Sequence, residues 1–432
     1  MVDSLVPVEA HLQRCLSLVS PLPPRRVPLL EALGAVLAED VVAGLTLPSF
    51  VNASMDGYAV VAADVATAGP GAAVLLPVHG DVAAGLTVAR RLARGTTVRI
   101  MTGAPMPRPP DGVEPQQLAV VPVEWTDGGL DRVSITRAPD PGAYLRWPGE
   151  DVREGDRLLT AGTRLTSRRL GLLAALGHAD VLVHPAPRLL VLSTGSELVA
   201  PGQPLGFGQI YESNGVALTA AGLEAGADAR HAGSVPDDED GVIAALRAAA
   251  EQADLVVTSG GVSAGAYDVV KAGLLRMGGV RFDKVAMQPG MPQGAGVLAG
   301  VPIVTLPGNP VSSTVSFEVF VRPMIGVLSG RGPISLPRRV ATVGTAWRSP
   351  VGKRQFARAV LDGDTVLPVG GQGSHLVADL AHATCLAVVP EQVGDVEIGM
   401  TLECLLLQPE SAPTRRPPGE SAPTRRPPGE SE

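Results

Sequence analysis

The chain has 432 residues, too many for one ordinary domain, so we expect two to four compact units. Its hydrophobic fraction of 45% is enough for real cores, and with only 3% aromatic residues those cores must be built from Val, Leu, Ile and Ala. The formal net charge of −8 argues against a general nucleic-acid-binding protein, which would need a basic surface.

The N-terminal sequence, the lengths of the apolar stretches and the cysteines bear on the cellular location of the protein. The N-terminus has no basic segment followed by an apolar run, and no uninterrupted apolar stretch approaches the ~18–20 residues of a membrane span. Three scattered cysteines (Cys15, Cys385 and Cys404) fit a reducing compartment better than a disulfide scaffold. We therefore expect a cytoplasmic protein without nucleic-acid or membrane partners.

The sequence ESAPTRRPPG at 410–419 repeats at 420–429, and its composition predicts a disordered tail over 409–432.

Three patterns divide the first 186 residues. Helical spacing of Leu12, Leu16 and Val19, then a second apolar run near Leu29–Leu37, predicts helices over 1–45. Leucines between 170 and 176 predict another helix within 149–186, and these two stretches can form one discontinuous helical domain. Between them, over residues 46–148, short Val-rich runs alternate with Gly, Pro and Asp clusters, and this pattern predicts a small all-β domain. The expected strands are Tyr58–Ala62, Ala73–Val78, Thr97–Met101, Leu118–Val123 and Arg132–Thr136.

Residues 187–330 alternate strand and helix patterns, which predicts a doubly wound, mostly parallel sheet. The expected strands are Arg188–Leu192, Ala229–Ser234, Leu255–Thr258, Val280–Val285 and Ile303–Leu306, and the expected helices are Asn214–Glu224, Asp238–Glu251, Asp268–Arg276 and Pro310–Leu328. A second small β domain is expected over 331–408. The fold class is therefore multidomain α/β: a central doubly wound sheet with two small β domains and a helical linker domain.

Parallel strands end on one edge of a sheet, where ligands bind. The loops at this edge carry Gly, hydroxyl and carboxylate groups: Ser193–Glu197, Val235–Asp238, Ser259–Ser263 and Leu306–Pro310. Backbone N–H groups in such loops can face an anion, and carboxylates can hold hydrated Mg²⁺ beside phosphate oxygens. The candidate carboxylates are Glu197, Asp237, Asp238 and Asp268. We interpret this edge as a site for a phosphorylated ligand with a divalent ion.

Simpler explanations exist for each loop taken singly. Glycine after a strand is common turn chemistry, Asp237 and Asp238 can cap a helix, and 307–310 can be a rigid turn. A serine hydrolase is a further alternative, because 261–265 matches Gly-x-Ser-x-Gly around Ser263, with His375 and His382 downstream. Ser263, however, lies several residues past the strand, and a hydrolase would leave the acidic loops unused.

Eight short motifs, in order, resemble one known family. The first is Pro48-Ser49-Phe50 followed by Ser54–Val60, and the remainder are 100–105, Gly149–Asp151, Ser193–Leu198, Asp237-Asp238, Ser259–Ser263, Asp268 and Leu306–Pro310. They are similar to the motifs of the molybdopterin molybdenumtransferases, the MoeA family, which includes the E domain of gephyrin. The resemblance covers about residues 5 to 405.

The resemblance implies a specific reaction: adenylyl-molybdopterin and molybdate give molybdenum cofactor and AMP, with Mg²⁺. It implies a homodimer whose cleft lies between the 187–330 domain and the partner's Asp56 segment, with the upstream molybdopterin adenylyltransferase as a possible further partner. The implied catalytic residues are Asp56, Asp151, Glu197 and Asp268, and Glu197, Asp237, Asp238 and Asp268 are the implied metal ligands. The implied substrate-binding residues are Thr102, Thr194, Gly195, Ser259, Gly260, Gly261, Ser263, Lys284, Pro307, Gly308 and Asn309.

The chain departs from the family pattern after Lys284. The family commonly has Lys-Pro-Gly-Lys-Pro there, whereas this chain has Gln288-Pro289-Gly290-Met291-Pro292. Because the substrates are anions, the loss of two ammonium groups removes part of the expected attraction. A catalytically weak molybdopterin-binding scaffold is therefore an alternative function, as is an adenylyltransferase, which would need only the central domain.

Overall fold

The computed structural model describes residues 5–85, 90–235, 238–262 and 269–407. The chain divides into two compact units: Arg26–Val183, and a second unit that joins Met1–Arg25 to His184–Glu432. The predicted tail at 409–432 lies outside the described residues.

The first 184 residues form mostly short strands. In chain order the elements are α1 Val8–Ser17, β1 Arg25–Pro28, a 3₁₀ turn Leu29–Ala32, β2 Val36–Leu37, β3 Val41–Val42, β4 Asn52–Ala53, β5 Gly57–Val61, a 3₁₀ turn Ala62–Val65, β6 Val74–Val82, β7 Thr97–Ile100, a 3₁₀ turn Pro115–Gln117, β8 Leu118–Pro122, a 3₁₀ turn Val123–Trp125, β9 Arg132–Ile135, β10 Leu145–Arg146, β11 Arg157–Leu159, α2 Ser167–Ala175 and β12 Asp180–His184.

Five of these strands form one sheet, in the order β8-β5-β7-β6-β9. Each of the five strands predicted within 46–148 is present, and the prediction of a β structure there is confirmed. β5 and β8 are buried along their whole length, as expected for strands covered on both faces. Gly57 permits this pairing, because a Cβ at that position would lie 2.0 Å from the carbonyl oxygen of Val121.

The Arg26–Val183 unit has a separate small core, which is formed by the first and last segments of the unit. β12 pairs with β1 and β2, β3 pairs with β11, and α2 contributes Leu170 and Leu173 to the same core. The predicted helix near Leu29–Leu37 is wrong. Only a 3₁₀ turn forms, because Gly34 takes φ +80° and the chain turns into β2.

Helix α1 packs with the other unit, which differs from the predicted grouping of 1–45 with 149–186. Val8 and Cys15 of α1 are buried in the core that contains Phe320 and Met324, and Val6 bridges to Val285. Helical periodicity correctly predicts α1, but it does not say which apolar surface the helix covers.

The α/β part of the second unit alternates strands and helices. Its elements are β13 Arg188–Thr194, β14 Leu198–Val199, β15 Ile210–Tyr211, α3 Asn214–Ala225, β16 Asp228–Val235, α4 Glu239–Gln252, β17 Leu255–Ser259, α5 Val269–Met277, β18 Val280–Lys284, β19 Met287–Gln288, β20 Pro292–Leu298, β21 Val301–Leu306, α6 Pro310–Ser316 and α7 Arg322–Leu328.

The sheet has the order β16-β13-β17-β21-β20-β18. The pairs from β16 to β21 are parallel, whereas β20 runs antiparallel to both of its neighbours. The mostly parallel sheet is therefore confirmed, and β20 is the strand that the sequence pattern misses. Helices α6 and α7 are joined through a π-helical turn, Phe317–Val321, into the predicted Pro310–Leu328 helix.

Among the described helices, Pro310–Leu328 alone has the length and composition to cross a bilayer, but 83% of its most apolar window is buried inside the protein. Burial of this kind is expected of a core helix.

The last described part is a β domain with the elements β22 Arg338–Val343, β23 Trp347–Arg348, β24 Arg354–Asp362, β25 Thr365–Pro368, α8 Val377–His382, β26 Cys385–Val389, β27 Asp395–Val396 and β28 Thr401–Leu406. The ladder β24-β25-β22-β28-β26 closes on itself through the pairing of β24 with β26, which makes a small barrel. β19 adds to its edge beside β24.

Candidate active site

A cleft of about 680 Å³ lies at the carboxyl edge of the parallel strands; we call it the carboxyl-edge cleft. It is lined by the ends of β13, β17 and β21, by the start of α3, and by His375 and Val377 of the following domain. Eight predicted site residues line it: Thr194, Glu197, Ser259, Gly260, Gly261, Pro307, Gly308 and Asn309. Topology brings these distant segments together, as the convergence of parallel strand ends predicts.

The loop after β13 places a carboxylate in the cleft. Glu197 folds back over Gly195, so that a Cβ on Gly195 would lie 2.6 Å from Glu197 Oε2. Gly195 also has φ +149°, a backbone conformation that a residue with a side chain rarely takes. The positive φ therefore favours glycine at 195, whereas the flexible Glu197 side chain could move away from a Cβ there.

The loop after β17 is held tightly against its neighbour. Gly260 has φ +92°, and a Cβ there would lie 2.6 Å from Thr194 Oγ1. The hydroxyl of Thr194 donates to the carbonyl oxygen of Ser259 at 3.3 Å, and Gly260 N donates to the Leu306 carbonyl oxygen at 3.0 Å. These glycines allow close backbone approach as well as turning, so the interpretation as simple turn residues is incomplete.

The loop after β21 is fixed from two directions. Asn309 Nδ2 donates to Ser374 Oγ at 2.8 Å, and the backbone N–H of Val311 donates to the Ser374 carbonyl oxygen at 3.1 Å. The segment that carries Ser374 and His375 is thereby attached to the cleft.

Asn214 and Glu212 are polar residues of the cleft that were not predicted from the sequence. Asn214 donates to Ser259 Oγ and to the Gly308 carbonyl oxygen, and the buried Glu212 accepts a hydrogen bond from Ser193 Oγ at 2.7 Å. The run Glu212-Ser213-Asn214 at the start of α3 was a visible signal, since polar residues at a helix start contact neighbouring backbone.

Asp56, Thr102 and Asp151 lie in the Arg26–Val183 unit. Asp56 Oδ1 accepts the backbone N–H of Thr102 at 2.6 Å and its hydroxyl at 2.8 Å. These two hydrogen bonds, the N–H first, hold the pKa of Asp56 below its ordinary value, so the carboxylate stays ionised. The structure thus pairs two predicted residues 46 positions apart. Asp151 is exposed, and its backbone N–H donates to the Leu47 carbonyl oxygen at 3.2 Å.

Three other predicted residues lie outside the cleft lining: Gly195, described above, Asp238 and Lys284. Asp238 is the N-cap of α4, where its Oδ1 accepts the Gly241 N–H at 2.7 Å. Lys284 is exposed at the end of β18, with its backbone opposite Pro292, which does line the cleft.

One of the two departures from the family pattern, Gln288, lies at a second cavity, of about 280 Å³. Gln288 of β19 lines it with Gln355, Gln372, Trp347 and the buried Arg358. Arg358 donates to the carbonyl oxygens of Gly371 and Gly373. This cavity therefore combines one guanidinium with three neutral amides.

Asp237, Ser263 and Asp268 lie outside the described residues. Within the described ranges, no group of three or more His, Cys, Asp or Glu side chains could hold a metal ion. Since the predicted metal site includes Asp237 and Asp268, that site stays a prediction.

The fold and the cleft together define a multidomain α/β protein with an oxygen-rich cleft at the carboxyl edge of its parallel strands. Three family models match successive segments: "MoeA N-terminal region (domain I and II)" at 6–177, "Probable molybdopterin binding domain" at 190–326 and "MoeA C-terminal region (domain IV)" at 340–407. The carboxyl-edge cleft is built mainly from the second of these segments.

Individual relatives agree with the models. The chain is 50% identical over 388 residues to molybdopterin molybdenumtransferase 2 of Mycobacterium tuberculosis, covering 88% of this chain and 94% of that one. It is 37% identical to the molybdopterin molybdenumtransferase of Haemophilus influenzae, over 87% of this chain and 91% of that one. A solved structure, the molybdopterin biosynthesis MoeA protein of Pyrococcus horikosii, superposes with a TM-score of 0.78 at 32% identity, covering 94% of this chain and all of that one.

The chain therefore belongs to the MoeA family of molybdopterin biosynthesis, as the sequence resemblance implied, and the predicted multidomain α/β fold class is confirmed.

Proposed function

We propose that this protein is a molybdopterin molybdenumtransferase that inserts molybdate into adenylyl-molybdopterin and releases AMP. The observation that carries the proposal is the carboxyl-edge cleft, which is formed by Gly-rich loops within the segment that matches the molybdopterin-binding model. Relatives that carry the transferase name, at up to 50% identity over most of the chain, support the same activity.

The cleft suits cleavage of a phosphoric anhydride. That reaction needs positioning and charge neutralisation more than a strong protein nucleophile. Gly260 and Gly261 let the backbone approach a ligand closely, and hydroxyls of Thr194 and Ser259 lie beside them. These groups would bind and orient phosphate oxygens.

Mg²⁺ is proposed as the ion that neutralises the substrate's phosphates. None of the described lining residues is Lys or Arg, whereas Glu197 and Glu212 both contribute carboxylates, so an anionic substrate needs a cation from elsewhere. Carboxylate oxygen is the donor type that Mg²⁺ prefers, and Glu197 presents it in the cleft. Glu197 would hold the ion with Asp237, Asp238 and Asp268, and the bound ion would supply positive charge at the anhydride.

Asp56 and Asp151 are proposed to act as catalytic carboxylates of the same reaction, with Asp56 kept ionised by Thr102. We further propose a cytoplasmic homodimer in which Asp56 of one subunit serves the cleft of the other. Transfer of substrate from the upstream adenylyltransferase would fit this role.

The proposed activity is tested by AMP release from adenylyl-molybdopterin with Mg²⁺, with and without molybdate. We expect release that depends on molybdate and is lost in Asp56→Ala and Glu197→Ala. Glu224→Gln, on the exposed side of α3, is the matched control and should keep full activity. Release without molybdate would contradict the transferase assignment.

Mixing the two inactive variants tests the dimer. If Asp56 serves the partner's cleft, heterodimers of Asp56→Ala and Glu197→Ala regain one intact site, which gives roughly a quarter of wild-type activity on random mixing. An inactive mixture, with heterodimers shown to form, would place both residues in one subunit's site.

A second candidate function is a binding scaffold without turnover, and the neutral amide of Gln288 in the second cavity favours it. Tight binding of adenylyl-molybdopterin without AMP release at any molybdate concentration would establish the scaffold and exclude the transferase.

A further inference from the structure

Asn214 joins two of the loops that form the carboxyl-edge cleft. It is the first residue of α3, and its Nδ2 donates to Ser259 Oγ at 2.8 Å and to the Gly308 carbonyl oxygen at 2.6 Å. Ser259 ends β17, and Gly308 follows β21, so one side chain links the ends of two neighbouring strands. Both hydrogens of the carboxamide are used in this link, and an aspartate of the same shape has no hydrogen to donate.

Glu212 fixes the third loop to the same helix start. Its Oε1 accepts Ser193 Oγ at 2.7 Å and the backbone N–H of Gly215 at 2.6 Å. Ser193 lies directly before the Thr194–Glu197 loop, and Gly215 is in the first turn of α3. One carboxyl oxygen thus accepts from both segments, and this link holds β13 and α3 in a fixed relation.

The burial of Glu212 makes this arrangement costly in folding free energy. The side chain is 3% exposed, and its Oε2 has no hydrogen-bond partner among the described residues, with His231 Nε2 3.8 Å away. Room for that imidazole comes from Gly215, where a Cβ would lie 2.3 Å from His231 Nε2. A buried carboxylate with an unpartnered oxygen is costly for stability alone, and such features concentrate at functional sites.

We propose that Asn214 and Glu212 are positioning residues of the carboxyl-edge cleft, which hold its three loops at the spacing that binds the phosphates of the substrate. This inference rests on the proposed transferase function. The two side chains act through Ser259, Gly308 and Ser193, so their loss should weaken substrate binding rather than remove a reacting group.

Four variants test the proposal in the full-length protein. Asn214→Asp keeps the shape and removes both donors, Asn214→Ala removes them without adding a charge, and Glu212→Gln keeps an acceptor oxygen and removes the charge. Val216→Ala, on the exposed side of α3, is the control. The measurements are the Kd of adenylyl-molybdopterin with Mg²⁺ but no molybdate, KM and kcat of AMP release, and the thermal midpoint.

We expect both Asn214 variants to raise Kd and KM by on the order of ten-fold or more, since small misplacements of binding groups cost up to ~100-fold. Glu212→Gln should raise them less, and Val216→Ala should leave them unchanged. The shift in KM is decisive because a purely structural defect lowers the active fraction, and hence kcat, without changing KM.

Unchanged Kd and KM in both Asn214 variants, with any loss of activity explained by unfolded protein, would overturn the inference and leave the transferase function standing. A wild-type protein that binds the substrate but releases no AMP would end the transferase proposal alone, and the Kd values would still decide the positioning role. A wild-type protein that does not bind adenylyl-molybdopterin would overturn both.

Discussion

Protonation of the buried His11 should weaken the attachment of α1 as the pH falls. His11 is fully buried, its ring meets Phe320 edge-on at 4.8 Å, and its Nδ1 lies 3.3 Å from Asp283 Oδ2. Since a carboxylate only accepts, Nδ1 carries the hydrogen, and the buried Nε2 has no partner among the described residues. Burial, followed by repulsion from Arg14 and Arg281, lowers the pKa of His11 from 6.5 to about 4.

The sign and size of the effect follow from linkage. Between about pH 4 and 6.5 the unfolded chain binds a proton that the folded chain does not, so stability is full above pH 6.5 and falls towards pH 4. At about 1.4 kcal/mol for each pKa unit, the shift corresponds to about 3 kcal/mol in total. Roughly 2 kcal/mol of that should be lost between pH 7 and pH 5.

Hydrogen exchange of the α1 amides, measured by mass spectrometry at pH 7 and pH 5 and corrected for intrinsic rates, gives the opening free energy of this helix. We expect the drop of about 2 kcal/mol in the wild type and a much smaller drop in His11→Asn, which keeps a donor for Asp283 but does not titrate. His382→Asn, at an exposed histidine, should behave as the wild type. An equal pH dependence in His11→Asn and the wild type would refute this reasoning.

Three further predictions concern the functional residues. Thr102→Val removes the hydroxyl donor to Asp56, so the pKa of Asp56 should rise towards its ordinary value. The acid limb of the pH profile of kcat/KM should then move to higher pH. An unmoved limb would count against a catalytic Asp56. Asp238→Ala should destabilise α4 by about 1 kcal/mol through loss of its N-cap, measured by hydrogen exchange, whereas Asp238→Asn keeps the cap and should alter only the Mg²⁺ requirement; if it alters neither, Asp238 is a cap alone. Gln288→Lys adds a positive charge to the cavity that Arg358 also lines, and it should lower the molybdate concentration for half-maximal AMP release roughly ten-fold, which corresponds to ~1.4 kcal/mol of added attraction. Gln252→Lys, outside this cavity, should leave that concentration unchanged. Equal shifts in both variants would mean that only net charge matters.

The sequence contained much of the local structure of the α/β domain, although the two-residue strands β14, β15 and β19 were not predicted. Alternating apolar runs and helical periodicity predict β13, β16, β17 and β21 within a few residues, because these patterns depend only on neighbours in the chain. β20 escaped because Gly294 and Gly296 interrupt its apolar pattern. The glycines are needed for close packing, since a Cβ at 296 would lie 2.0 Å from the Gly279 carbonyl oxygen.

The candidate site could be predicted in outline. Parallel strands must end on one edge, so the order of strands and loops along the chain is enough to assign residues such as Glu197 and Asn309 to a common cleft. The order of strands and loops did not show that Asp238 caps a helix or that Thr102 binds Asp56. A cap and a metal ligand use the same residue types, and the hydrogen bond from Thr102 to Asp56 joins residues 46 positions apart.

By itself, the sequence determined the fold class, the family and the edge of the sheet that carries the cleft, because these follow from periodicity and from short motifs. Only the tertiary structure decided that α1 packs against Phe320 and that Asn214 and Glu212 connect three loops. Those facts depend on which surfaces meet when distant segments pack, and no spacing along the chain encodes them.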